Sequence, residues 1–587
     1  MPPLKLPKKG KGRQVHIDFA SPETARASAP SDWAADEWLD EGTRQEEQGE
    51  RYQAGAKAAR HYSNAATCYA LASAARPADF DSRYNAARVW QTLATEHLAA
   101  PDCLTALDRA RQGYREALAV LVPGAEGEAT ARIDALFNLA QADVALFEML
   151  EDAVAPVDGE RERALQVARE ARELFVEVER LQREEMVRFF GTSGPAGTED
   201  DTDDADEMKD AASSGTGGAE TSVRAVETTI VTPQLIVDTL LESVAFDLAL
   251  YDSSISDPAT QAELRQSALD SFARATALRA SVPGEATSLD FELAFAQATM
   301  LTTLSPDEAT PFIEQLAASS PPKVDLLSLG ADHLIETLDL SSPLPSILAT
   351  LARALDAYES AHALLANRLS PPRDIPASHL PSLLSANLVA QSTVHLVSYE
   401  LLSRGPEPGT GAPSTAAQHL AQAHALALAA TSAPRSGLSL ALSASASASA
   451  SSPSAPPAPG TRARAPALAL ARAPPSTDPR GDWRTRSALR TGLFALARVR
   501  LRMDPSPSPS PSPSPPRAGT SGDKSQFWAL WRALGLARGA GGDDVARVRE
   551  IDARWWAQEV DGDKVMEAMA PEAAQAEREY WEGLASA

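Results

Sequence analysis

One helical face, built from small and aromatic residues, returns along this chain and limits what it can fold into. It is clearest from Tyr62 to Pro77, where Tyr62, Ala65, Tyr69 and Ala72 fall three or four residues apart and share one side of a helix that proline ends. Ala110, Tyr114 and Ala117 repeat it ahead of Pro123, Ala268, Phe272 and Ala275 ahead of Pro283, and Ala354, Tyr358 and Ala361 once more. Small residues let a neighbouring backbone come close, and the aromatics fill the space beside it. A second type of helix alternates with the first. Tyr84-Asn85-Ala86-Ala87, Phe137-Asn138-Leu139-Ala140, Phe291-Glu292-Leu293-Ala294 and Ala386-Asn387-Leu388-Val389 carry it, and Ala164, Ala168 and Ala171 lie on the partner of the second of these. Alternation of two helix types predicts an all-α array of stacked units.

Composition breaks the array into pieces. Hydrophobic residues at 44% and charged residues at 23% are ordinary for a globular protein, whereas 43 prolines point to long connectors as well. Residues 1–40 read as a basic, disordered tail with Lys5, Lys8, Lys9, Lys11 and Arg13, and no apolar run follows them as a secretory signal requires. A first array is expected over 41–190, with Glu46, Glu47 and Glu50 as the acidic first turn of its opening helix. Glu199, Asp200, Asp201, Asp203, Asp204, Asp206, Glu207 and Asp210 make 191–230 an acidic, self-repelling linker. A second, more divergent array spans 231–430, and Ser, Ala and Pro fill a low-complexity linker over 431–480. The last segment, 481–587, holds a helix from Trp483 to Met503, a Ser-Pro linker at 503–522, and short helices whose tryptophans suit a cap on the array's end.

Chemistry of the catalytic kind finds no foothold. Cys68 and Cys103 form neither a disulfide framework nor a Cys-x-x-Cys metal pair. His419 and His424 are five apart, which misses the spacing that puts two ligands on one helical face. Gly519 to Ser525 lacks both the glycine before its lysine and the strand that a phosphate-binding loop needs. No enzyme activity, cofactor or metal is therefore expected. A net charge of −26 disfavours direct nucleic-acid binding and favours a basic protein partner, although ten arginines crowd Arg462 to Arg502. Nothing here is apolar enough to span a membrane, and the cytoplasm or nucleus is the expected location.

The small–aromatic–small–proline helix, paired with the helix of Phe137 to Ala142, resembles the tetratricopeptide repeat family. That resemblance implies a right-handed α-solenoid of antiparallel helix pairs, and a non-enzymatic scaffold or adaptor whose first helices line a concave groove. Asn85 and Asn138 are 53 apart, against a standard unit of about 34 residues. Longer helices or turns are expected for that reason. Heat-shock chaperone adaptors of the family clamp a carboxy-terminal acid with lysine, asparagine and arginine. The equivalent positions here are Glu50, Ala54, Asn85, Asp134 and Asn138, and only Asn85 matches. Acids in such a groove would instead attract lysine and arginine, so Glu47, Glu50, Asp81, Asn85, Asp134 and Asn138 are the candidate partner-binding residues. An acidic block interrupting the array also resembles family members that escort basic clients into ribosomes or chromatin. The alternatives are a structural subunit of a larger complex and a heat-shock chaperone co-factor without the usual clamp.

Three further sites share one pattern, Ser-Pro-Pro followed by a base: Ser320 with Lys323, Ser370 with Arg373, and Ser514 with Arg517. Each resembles the target of proline-directed, cell-cycle-type kinases, and a phosphate there would add up to about two negative charges to a loop.

Overall fold

The computed structural model describes residues 17–19, 21–52, 56–98, 102–124, 127–153, 158–191, 231–253, 257–280, 287–366, 380–403, 412–436 and 483–503, with isolated positions near 556 and 575–579. The described residues are all-helical, without a strand. In chain order the helices are α1 (Pro22–Ser28), α2 (Ala35–Tyr52), α3 (Ala56–Ala75), α4 (Phe80–Thr92, prolonged by a π-helical turn, Leu93–His97), α5 (Asp102–Val120), α6 (Glu128–Ala153), α7 (Asp158–Gly191) and α8 (Pro233–Asp252). They continue as α9 (Pro258–Ala280), α10 (Thr287–Leu304), α11 (Pro306–Ser319), α12 (Val324–Glu336), α13 (Leu344–Ala366), α14 (Leu380–Ser403), α15 (Ala412–Ser436) and α16 (Trp483–Met503).

Helices pack chiefly with their neighbours in sequence, α2 on α3, α4 on α5, α6 on α7, α8 on α9, α12 on α13 and α14 on α15. Each pair also touches the next, so the cores form a chain. One core joins α1 to α4, the next runs from α4 to α9, and smaller ones carry the packing on through α10–α12 and α12–α15. Among the described residues no central core gathers all the helices. This is the organisation of an α-solenoid, in which each unit is stabilised by its neighbours.

The recurrent face is what each unit buries. Ala65, Tyr69 and Ala72, Ala110, Tyr114 and Ala117, and Ala354, Tyr358 and Ala361 are all buried, as are Ala268 and Ala275, with Phe272 packed against the cores beside them. What receives the first two tyrosines is glycine. A Cβ added at Gly42 of α2 would stand 2.5 Å from the Tyr69 ring, and one at Gly49 would stand 2.8 Å from the Tyr62 ring. Gly42 and Gly49 are two helical turns apart, as are Tyr62 and Tyr69, so the two helices mesh at matched intervals.

The N-terminal part corrects two expectations. Helix begins inside the segment expected as a tail. α1 is closed by a capping box, in which Ser21 Oγ accepts from the Thr24 N–H at 3.2 Å and Thr24 Oγ1 accepts from the Ser21 N–H at 2.7 Å. α2 starts at Ala35 because Trp38 and Leu39 are buried in the same core as the alanine face of α3. Its acidic first turn is therefore Asp36 and Glu37, and Glu46, Glu47 and Glu50 fall in its second half.

At the other end α16 packs on α14 and α15. Gly492 lets it approach the α15 backbone, with its Cβ position 3.2 Å from the Thr431 nitrogen. Trp556 is fully buried and donates from Nε1 to the Arg490 carbonyl at 3.3 Å, whereas Trp528, Trp531, Trp555 and Trp581 lie outside the described residues. So do the basic N-terminal residues, the acidic block, the Ser-Pro linker beyond Met503 and residues 437–480 of the expected low-complexity linker, whereas 431–436 are helical as the end of α15, where Ala430 and Thr431 are buried. No described helix is long and apolar enough to cross a membrane.

Candidate functional site

The candidate residues belong to α2, α4 and α6, the first members of three successive pairs. On α2, Asp36, Asp40, Glu47 and Glu50 are exposed and lie within about a quarter turn of one another around the axis, since each residue advances about 100°. They form an acidic stripe. Asp36 is paired with Arg76 at 3.0 Å at one end of it. Glu50 lies near Tyr62, whose hydroxyl is pushed up to about 12 by burial first and then by the negative charges of Glu50 and Glu46.

Glu46, buried at the edge of this stripe, ties α2 to its neighbours. Its carboxylate accepts from the Tyr69 hydroxyl at 3.0 Å and from both terminal nitrogens of Arg88 on α4, at 2.7 and 2.9 Å. This two-pronged geometry fixes Arg88 in direction as well as charge. The same guanidinium lies 3.5 Å from Asn85 Oδ1. From α6, Asn138 Nδ2 donates to the Tyr84 hydroxyl at 2.9 Å and to the Asp134 carbonyl one turn back. Asn85, Asp134 and Asn138 are thus brought together around Tyr84 and Arg88. Tyr84 is pushed up to about 12, by burial above all and then by the charge of Asp134.

Asp134 is one of several acids raised with no cation contributing, alongside Asp238, Asp252, Asp332 and Glu336 on later helices. Its half-buried carboxyl is raised above the ordinary carboxylate range by burial alone, with no cation contributing. Asp81 lies exposed at the start of α4, beside the N-cap residue Asp79. Of the six candidates, Asn138 has its amide engaged with Tyr84, while Glu47 and Glu50 extend outward.

Several acids and arginines of α5 and α7 also satisfy one another or partners on neighbouring helices, as Glu46 and Arg88 do. Asp108 of α5 takes Arg163 of α7 at 2.7 Å, and Glu170 of α7 takes Arg111 and Arg115 of α5 at 2.8 and 2.7 Å. Arg172 of α7 reaches Asp247 of α8 at 2.9 Å and Glu263 of α9 at 3.0 Å, and Glu179 takes Arg274 at 3.1 Å. Arg111 also grips Asp143 of α6, which is fully buried. Burial pushes the Asp143 carboxyl up to about 6, and Arg111 offsets only part of that. These pairs clip one repeat to the next.

Several of these residues escape a reading of local pattern. Tyr84 and Arg88 lie 54 and 42 residues from their partners Asn138 and Glu46, and nothing in their immediate surroundings announces the contact. The histidines show the same limit. The Nδ1 of His419 lies 2.9 Å from Nδ1 of His395 on α14, a residue 24 positions away. Among the described residues no group of three or more His, Cys, Asp or Glu side chains is placed to hold a metal. Ser320 lies between α11 and α12, and Ser370 and Ser514 lie outside the described residues. The chain matches no protein-family model and no curated protein.

Proposed function

We propose that the chain is a non-enzymatic, tetratricopeptide-like scaffold that takes a lysine- and arginine-rich protein segment across α2, α4 and α6. One contrast supports this reading. Asp108 and Glu170 on the second helices are matched by arginines from neighbouring repeats, whereas Glu47 and Glu50 extend into solvent and Asp134 is half-buried with no cation contributing to its state. A half-buried carboxylate without a cation has lost hydration that it does not recover within the chain. An incoming ammonium or guanidinium would restore it, with Tyr84 and Asn138 holding the position next to it. A net charge of −26 draws such a partner in before contact. Basic clients of ribosome or chromatin assembly fit this chemistry.

The test is a fluorescence titration of the full chain with a labelled Lys/Arg-rich peptide, beside the Glu47→Gln/Glu50→Gln/Asp134→Asn variant. Exposed pairs contribute little each and a partly buried one more. We expect the triple variant to bind at least about tenfold more weakly, which corresponds to about 1.4 kcal/mol. Equal affinities would reject the reading.

A second reading, a structural subunit of a larger complex, draws on α7. Val176 and Val187 are 62% and 63% exposed and fall on one side of that helix. On α8–α15, Leu269 is the only large apolar side chain exposed among the described residues.

A further inference from the structure

We propose that Ser320 is a phosphorylation site of the folded protein, used by proline-directed kinases, and that its phosphate is answered by Lys323. Three observations on the connection between α11 and α12 carry this. The chemical pattern is complete, with Ser320 followed by Pro321 and Pro322 and then Lys323. The backbone already has an extended shape, with φ −118° and ψ 153° at Ser320 and φ −118° and ψ 142° at Lys323. The flanks are open, since Ala317, Ala318, Ser319, Pro321 and Pro322 are all exposed.

Each of these matters to a kinase. A protein kinase reads its substrate as an extended strand, and proline after the acceptor brings no N–H that the enzyme would leave unpaired. The two prolines also hold the chain near the polyproline II form. That helix has three residues per turn and rises about 3.1 Å per residue, so Ser320 and Lys323 lie on one side about 9 Å apart. This is within reach of a lysine side chain and a phosphate together. On the N-terminal side the kinase must draw out the last turn of α11, and its three exposed small residues make that fraying inexpensive.

In the transfer, a bond forms between Ser320 Oγ and the γ-phosphorus of ATP as the bond from that phosphorus to the bridging oxygen breaks. ADP departs, and the hydroxyl proton goes to the kinase's carboxylate base. The phosphate brings about −1.5 to −2 charges. Lys323 Nζ now lies 3.6 Å from the centre of the Phe291 ring on α10. A phosphate on the same side of the chain offers its ammonium a stronger, charge-assisted partner. Phosphorylation would therefore loosen the α10–α12 contact at Phe291.

The experiment is to incubate the full native chain with a purified cyclin-dependent kinase and ATP, and to map phosphate by tandem mass spectrometry against a synthetic peptide covering 314–327. The proposal expects Ser320 in the native chain to be modified at no less than about a tenth of the peptide's rate, with Pro321→Ala abolishing the reaction and Lys323→Ala slowing it severalfold. Phosphate elsewhere in the native chain with Ser320 unmodified would overturn it, as would a peptide that is itself no substrate. Hydrogen exchange of the Phe291 region should rise after modification, and no change there would overturn the role given to Lys323.

Discussion

Gly42 and Tyr69 show how closely the units are fitted. Gly42→Ala places a methyl group inside the Tyr69 ring's space, and overpacking of this kind costs about 1–3 kcal/mol. We expect a lower denaturation midpoint with an unchanged slope, measured in urea. Tyr69 was legible in the sequence because aromatic and small residues at three- and four-residue spacing can only be one helical face. Its partner was not, since glycine has no side chain and leaves no mark on a hydrophobic pattern. Glu46 and Arg88 were hidden for another reason: a salt bridge between residues 42 apart depends on how two helices stack. Asp143 makes a second residue-scale prediction. Its carboxyl is raised from the ordinary 3.8 to about 6 in the fold, so the native state favours the protonated form. Its contribution is full below pH 4 and is lost as pH rises through 6. At about 1.36 kcal/mol per pH unit, the loss reaches about 3 kcal/mol by pH 7. Asp143→Asn cannot ionise, and Arg111 keeps Glu170. Melts from pH 4 to 7 should show wild type losing stability relative to this variant.

Among the elements, α2 and the α14–α15 pair depart most from the pattern. The acids of α2 suggested a helix start, but burial of Trp38 and Leu39 moved that start to Ala35 and left Glu46, Glu47 and Glu50 beyond the middle. Carboxylates toward a helix C-terminus gain nothing from its dipole, so their place is better explained by what they face. In the α14–α15 pair, His395 is lowered to about 4, by burial first and then by His419, and His419 is lowered by burial. At 2.9 Å one ring nitrogen donates and the other accepts, so the accepting ring must be neutral. The unfolded chain takes up protons near 6.5, the folded one only near 4. The stability that this pair contributes is present above pH 6.5 and is lost on acidification toward 4, up to about 3 kcal/mol. Its slope is opposite to that of Asp143. Circular dichroism melts between pH 4 and 7 should show a steep acid loss in wild type and a flatter one in His395→Gln.

At the scale of the whole molecule, the fold was legible because it repeats. Each buried alanine–tyrosine–alanine face stated the same rule again, and a rule stated several times survives local irregularities such as the π-helical turn after α4. The candidate site was legible only in part. Charge and helix order pointed to α2, α4 and α6, whereas the pairing of Asp108 and Glu170 on α5 and α7 needed the stacked arrangement. A linear array also lets one face bind while the other holds the units together. The most direct measurement is hydrogen exchange along the full chain with and without a saturating Lys/Arg-rich peptide. We predict slowed exchange in 35–52, 80–92 and 128–140, with α5 and α7 unchanged. Slowing confined to α7, or to α14–α16, would contradict it.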